Sequence, residues 1–259
     1  MEMKWVNDKG LSFTIKNQEI NGVIGTHKEE VVSQIYLKRK DKSKIYINGE
    51  ALTTKERNKF KKLIYVVEED MNLLEYQQKV YERMYLEVQR KRLTLKDPKK
   101  KILDSLKIVD LEMDALTRNI NDLSSSERKR LQIGMALMNN PEVIVLIEPF
   151  QKLDKTTERK LLLFLQKIKD LYEKTIVIVS DNPDKLYQYT SHIIMEKNHK
   201  IILEGDTKEV YSKVDFLKKN RMNIPEIVEF TYLAKKKKKA KIDYHRDIRD
   251  LIKDIYKHV

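Results

Sequence analysis

The sequence predicts an α/β protein in which a mainly parallel sheet is flanked by helices, with an antiparallel β part at the N-terminus and a basic helical extension at the C-terminus. Three observations predict it. From Ser125 onward helix-type and strand-type runs alternate, as Ser125 to Met138, Val143 to Ile147, Thr156 to Leu171 and Thr175 to Val179. Within that stretch Val143 to Ile147 and Ile176 to Val179 are wholly apolar, as central strands covered on both faces should be. Near the start, Asn48-Gly49 follows the run Lys44 to Ile47, the residue pair that a tight two-residue hairpin demands, so Lys44 to Leu52 reads as antiparallel.

The remaining elements follow in order. Leu11 to Ile15, Glu19 to Ile24 and Leu63 to Val67 are short β-branched runs and read as strands. From Met71 to about Arg92 the apolar positions Leu74, Val80, Met84, Tyr85 and Val88 fall near helical spacing, and Asp97-Pro98 starts a further helix through Ile108. His192 to Met195 and Lys200 to Leu203 flank Lys197-Asn198-His199 and form a late hairpin before Gly205. From Val214 the chain is basic and helix-prone, broken by Pro225, with five consecutive lysines at Lys235 to Lys239. The expected division is residues 1–213 as the main domain, with a helical subdomain at about 71–122, and 214–259 as the extension.

Composition narrows the function. The 259 residues carry 53 Lys and Arg against 40 Asp and Glu, a net charge of +13, and 41% are hydrophobic, enough for a sizeable core. No Cys and only 5 His exclude disulfides, thiolate sites and a cysteine nucleophile, and no metal site is expected. No apolar run approaches the roughly 18 to 20 residues of a membrane span, and Met1 to Trp5 lacks the apolar stretch of a secretory signal, so a cytoplasmic protein is expected. Gly is scarce, with 6 residues, about a third of the usual share of roughly 7%. A glycine-built phosphate cradle is therefore hard to assemble.

The ordered set Leu123-Ser-Ser-Ser-Glu-Arg-Lys-Arg130, Asn140-Pro141, Val143-Ile-Val-Leu-Ile-Glu-Pro149 and Leu153-Asp154 resembles the ATP-binding cassette (ABC) ATPase core, a P-loop NTPase-like fold. Nearly the whole chain can be laid on that family, including Ile47-Asn-Gly49, Lys200 to Gly205 and Thr207 to Val210. Among its branches the chain looks most like the cassette subunits of energy-coupling factor transporters, on the C-terminal segment Ile224-Pro-Glu-Ile-Val-Glu229 with Tyr232-Leu233. The resemblance implies a nucleotide-dependent dimer in which each ATP lies between the phosphate loop of one subunit and the signature of the other.

Motif by motif, the residues depart from that pattern. A phosphate loop needs successive glycines, a Lys for the terminal phosphates and a Ser or Thr for magnesium at a helix N-terminus. In Gly22-Val-Ile-Gly-Thr-His-Lys-Glu-Glu-Val31, Gly22 and Gly25 match the entry glycines, and Lys28 matches the Lys only if the Gly-rich triplet is deleted. Glu29 and Glu30 then stand where hydroxyls should face magnesium and phosphate, and two carboxylates repel a triphosphate. The alternative is an ordinary strand-to-helix turn with Glu at a favourable helix N-terminus.

The magnesium-holding Asp is replaced by Ile147, leaving Glu148 at the family's general-base position without its metal. Glu68 stands for the glutamine after the fourth strand, and Asp181 for the switch histidine; a carboxylate donates no hydrogen bond to phosphate unless protonated. The signature keeps Ser124 but has Ser125, Ser126 and Glu127 in place of the glycines and the residue after them. It either retains a weakened contact to a partner's nucleotide or Ser124 or Ser125 merely caps the helix. Trp5 is the nearest candidate for the adenine-stacking aromatic, with a core position as the alternative, and Asp154 resembles the dimer-facing loop.

The expected function is thus a degenerate, pseudo-ATPase cassette subunit that pairs with an active homologue and supports a transmembrane coupling protein. It would be peripheral to the inner membrane face, where the basic surface and the lysine run suit a negative leaflet. Intrinsic ATPase activity is not expected, and no cofactor is expected to be retained; ATP and magnesium would bind only weakly or in the partner's site. Two other readings stay open: ATP hydrolysis at a composite site using Ser124 to Glu127, and a soluble regulatory or nucleic-acid-binding cassette. No nucleic-acid reading module accompanies the charge, so nucleic acid is not the expected partner.

Overall fold

A computed structural model describes residues 2–7, 10–36, 44–69, 77–90 and 97–257. The chain forms two units, residues 1–57 with 177–259, and residues 58–176.

In the first unit, strands β1 (Glu2–Val6), β2 (Ser12–Lys16), β4 (Lys44–Ile47) and β5 (Glu50–Ala51) form an antiparallel sheet in the order β2-β1-β4-β5. Alternation along β1 turns Met3 and Trp5 inward, and Trp5 stacks on its cross-strand partner Phe13 with ring centroids 5.7 Å apart. The expected hairpin is present: Ile47 pairs with Glu50, and Asn48 and Gly49 take φ of 50° and 87°, the left-handed pair that matches strand twist.

Three strands of the second sheet also belong here. β3 (Ile20–Gly25) runs parallel to β9 (His192–Lys197), with Gly25 opposite Glu196, and β9 pairs antiparallel with β10 (Lys200–Asp206). Helix α1 (Lys28–Ile35) follows β3 and buries Val31 and Ile35. Beyond β10 come α8 (Thr207–Ser212), α9 (Val214–Lys219), α10 (Glu226–Lys238) and α11 (Ile248–Tyr256). They bury Val210, Tyr211, Val214, Leu217, Val228 and Leu251.

In the second unit β6 (Ile64–Val67) runs parallel to β7 (Val143–Ile147), with Ile64 opposite Val143. The helices are α3 (Val80–Arg90), α4 (Pro98–Ile108), α5 (Ser125–Met138) and α6 (Lys155–Tyr172). Asp97 caps α4 by accepting from Lys100 N at 3.0 Å, and Pro98 fills the first helical position, where no N–H is needed. Helices α4 and α5 approach closely at Gly134, whose carbonyl accepts from Ser105 Oγ at 2.7 Å.

The chain passes between the units within α2 (Thr54–Lys61) and β8 (Thr175–Val179). The helix expected from Met71 starts at Val80; residues 70–76, including Leu74, and 91–96 lie outside the described residues. Three α-helices went unread in the sequence, α8 among them with only six residues. α2 buries Phe60 alone and so has no apolar stripe, and α7 (Pro183–Tyr189) has only seven residues behind its Asn182 cap.

Candidate functional site

The first unit brings together Gly22, Gly25, Lys28 and Asp181. β3 ends at Gly25, Thr26 and His27 make the turn, and α1 begins at Lys28. A side chain at Gly25 would force this packing to shift, because a Cβ would lie 2.4 Å from the Glu196 carbonyl oxygen and 2.6 Å from its carboxylate. At Gly22 a Cβ would come 3.1 Å from Thr190 and 3.2 Å from Leu186. Both glycines therefore have a packing reason here, without reference to a ligand.

Lys28 is 8% exposed and its ammonium forms an ion pair with the Asp181 carboxylate, beyond the end of β8. Lys28 and Asp181, the residues expected from sequence at the positions of the phosphate-binding Lys and the switch histidine, thus pair with each other. Glu29 and Glu30 are both exposed in the first turn of α1, where acidic side chains suit the helix dipole.

A further group escaped the sequence reading. Glu196 has no exposed surface, and its carboxylate accepts from His27 N at 2.5 Å and from His199 N at 2.7 Å. The His27 and His199 rings lie 3.9 Å apart, and His199 Nδ1 meets Glu30 Oε1 at 2.8 Å. The His27 N–H of this turn therefore points at a carboxylate the protein itself supplies. The available signal was one acidic residue at the end of an otherwise buried strand, His192 to Glu196.

In the second unit Ser124 is the N-cap of α5 and closes a capping box. Its Oγ accepts from Glu127 N at 3.3 Å, while Glu127 Oε2 accepts from Ser124 N at 2.8 Å. Arg118 donates to Glu127 Oε1 at 3.0 Å. Burial pushes the Glu127 carboxyl up, but the hydrogen bonds from Ser124 and the Arg118 guanidinium together hold it below its ordinary value. Arg128 donates to the Leu123 carbonyl and, at 3.4 Å, to Ser125 Oγ; Ser126 is half-buried in the same turn.

Glu68 is exposed at the end of β6, and the backbone there is tied to α5: Lys129 Nζ donates to Glu68 O at 3.2 Å and to Glu69 O at 2.6 Å. Lys129, 7% exposed, was not singled out from sequence. Glu148 follows β7 with φ of 43°, an uncommon conformation for a non-glycine residue and more so before a proline. Asp154 caps α6, accepting from Thr156 N at 2.9 Å and Thr157 N at 3.0 Å, and hydrogen bonding from the Thr157 side chain, joined by these backbone bonds, holds its carboxyl below the ordinary value. Among the described residues no cluster of His, Asp and Glu could hold a metal ion. Trp5, fully buried against Phe13, takes the core position that the sequence offered beside base stacking.

The mixed sheet, the antiparallel N-terminal part and the order of these motifs define an ABC ATPase fold. The family model described as ABC transporter matches residues 9–151, and the chain belongs to that family. Over 246 residues it is 25% identical to the energy-coupling factor transporter ATP-binding protein EcfA2 of Caldanaerobacter subterraneus subsp. tengcongensis, covering 93% of this chain and 85% of that protein. It is 30% identical over 162 residues to the energy-coupling factor transporter ATP-binding protein EcfA3 of Oenococcus oeni, covering 61% of this chain and 55% of the relative. Among solved structures, cbiO1 from Clostridium perfringens, part of the ABC transporter complex cbiONQ, superposes with a TM-score of 0.70 at 20% identity, over 89% of this chain and 98% of that one.

Proposed function

We propose that the chain is a degenerate, pseudo-ATPase cassette subunit of an energy-coupling factor type transporter, working beside an active homologous cassette and a transmembrane coupling protein on the cytoplasmic membrane face. Similarity to EcfA2 over most of both chains supports the transporter assignment. No described helix is long and apolar enough to cross a membrane, which suits a subunit that borrows its membrane component. Residues 1–213 would be the cassette proper and 214–259 its extension.

The observation that carries the degenerate reading is the self-neutralised loop. A triphosphate takes a Lys ammonium and converging backbone N–H groups. Here Lys28 is paired with Asp181, and the His27 N–H is given to the buried Glu196 carboxylate. A magnesium-nucleotide does not suit these residues: Ile147 replaces the cation's carboxylate and Glu29 and Glu30 replace the hydroxyls. The Ser124 Oγ, as acceptor, and the Glu127 N–H in the first turn of α5 are engaged in the capping box, which also disfavours a composite site.

The test is ATPase activity of the chain co-purified with its partner cassette. Glu148→Gln and Ser124→Arg in this chain are expected to leave the rate unchanged. A large loss with either variant would overturn the reading and favour hydrolysis at a composite site.

A further inference from the structure

Two turns of the first unit meet at one buried carboxylate. Thr26-His27 leads from β3 into α1, and Asn198-His199 joins β9 to β10 with φ of 50° and 64°. Each turn aims one backbone N–H at Glu196: His27 N lies 2.5 Å from Oε2 and His199 N 2.7 Å from Oε1. The His27 ring adds a third group, with Nδ1 3.6 Å from Oε1. Backbone N–H groups that converge from turns form an anion-binding concavity.

The surroundings suit such an occupant. Gly25 leaves it room, since a Cβ there would lie 2.6 Å from Oε2. A carboxylate with no exposed surface is costly unless its oxygens are paired, and here both are. The His27 and His199 rings lie 3.9 Å apart and their side chains are 43% and 58% exposed, so solvent reaches the groups beside the carboxylate.

We propose that this place is an anion-binding site liganded from within: the Glu196 carboxylate occupies it, ties the β3–α1 turn to the β9–β10 hairpin and shuts out an external anion. The site is blocked rather than dismantled, and the ligand class it takes is a small carboxylate. The inference deepens the pseudo-ATPase reading and rests on it, because a His27 N–H given to an internal carboxylate is not offered to phosphate. A plain packing role would ask only for volume at position 196. An anion site asks for negative charge and two acceptor oxygens.

Glu196→Ala removes the Cγ and carboxyl group, which together have the size of an acetate ion. Urea unfolding of the full-length variant, followed by circular dichroism, is compared in potassium acetate, in potassium chloride of equal ionic strength, and in that chloride with acetamide, the uncharged isostere. In chloride the variant is expected to unfold at lower urea than the wild type. Acetate should return stability to it, by about tenfold in the folding equilibrium constant once acetate stands at roughly ten times its dissociation constant, and acetamide should not. The wild type and Glu29→Ala, altered at an exposed carboxylate of α1, should shift equally little between the salts. Should Glu196→Ala be unfolded in chloride, acetate should restore its circular dichroism. The proposal is overturned if acetate acts on the variant no more than on the wild type, or if acetamide does as well as acetate. No nucleotide enters, so these outcomes are separate from the ATPase and Mg-ATP measurements that decide the pseudo-ATPase reading.

Discussion

Glu196→Gln is the most informative single change at the loop. The wild-type carboxylate has no exposed surface and offers an acceptor at each oxygen, to His27 N at 2.5 Å and His199 N at 2.7 Å. An amide of the same shape offers one oxygen and one NH2 group. Whichever way it turns, one backbone N–H faces another donor and loses its partner, at a cost of about 1–3 kcal/mol. The surviving bond also loses its charged acceptor and about half its strength. Relief from burying a charge offsets part of this. The net expectation is a destabilisation of about 2 kcal/mol, or roughly 4–8 °C in Tm for a chain of this size. Thermal unfolding followed by circular dichroism measures it, with the exposed Glu29→Gln expected to stay within about 0.5 kcal/mol of wild type. A Glu196→Gln protein as stable as that control would refute the claim that this carboxylate holds the turn.

Three further outcomes follow from the same geometry. Gly25→Ala forces a Cβ to within 2.4 Å of a backbone oxygen and should cost about 1–3 kcal/mol in urea unfolding; an unchanged midpoint would contradict the packing described for β3 and β9. Ser124→Ala removes the cap of α5 and should cost about 1 kcal/mol, and Ser124→Asp should recover most of it; equal stability of all three proteins would deny the cap. Burial, aided by Lys16, pushes His192 below its usual range, so the unfolded chain takes up the proton first. That contribution is complete above the unfolded value of about 6.5 and is lost as pH falls below it, so His192→Gln should flatten the fall in stability between about pH 7.5 and 5.5. A parallel curve for the variant would remove His192 as the cause.

Much of the fold was legible because the chain's periodicities are local. Ser125 to Met138, Val143 to Ile147 and Thr175 to Val179 begin and end where cap chemistry and apolar runs put them. Asn48-Gly49 specified its hairpin for the same reason, since few residue pairs tolerate two left-handed conformations in succession. α2 was invisible because one buried phenylalanine makes no pattern. At the loop, sequence led us to expect ligand-type residues to be missing but gave no sign of the contacts that Lys28 and His27 make. The pairing of Lys28 with Asp181 and of Glu196 with the His27 N–H joins residues roughly 150 positions or more apart, and only the parallel register of β3 with β9 brings the second pair together. Lys129, reaching back to the Glu68 and Glu69 carbonyls, was hidden likewise in a run of basic residues that reads as a solvated helix face.

The central claim is that the loop between β3 and α1 does not hold a nucleotide. Calorimetric titration of Mg-ATP into the purified chain, at concentrations able to detect millimolar affinity and with Lys28→Ala beside it, tests that claim most directly. The account predicts no binding heat for either protein. Binding by the wild type that Lys28→Ala abolishes would mean that the Lys28–Asp181 pair opens to admit phosphate, and the pseudo-ATPase reading would be wrong.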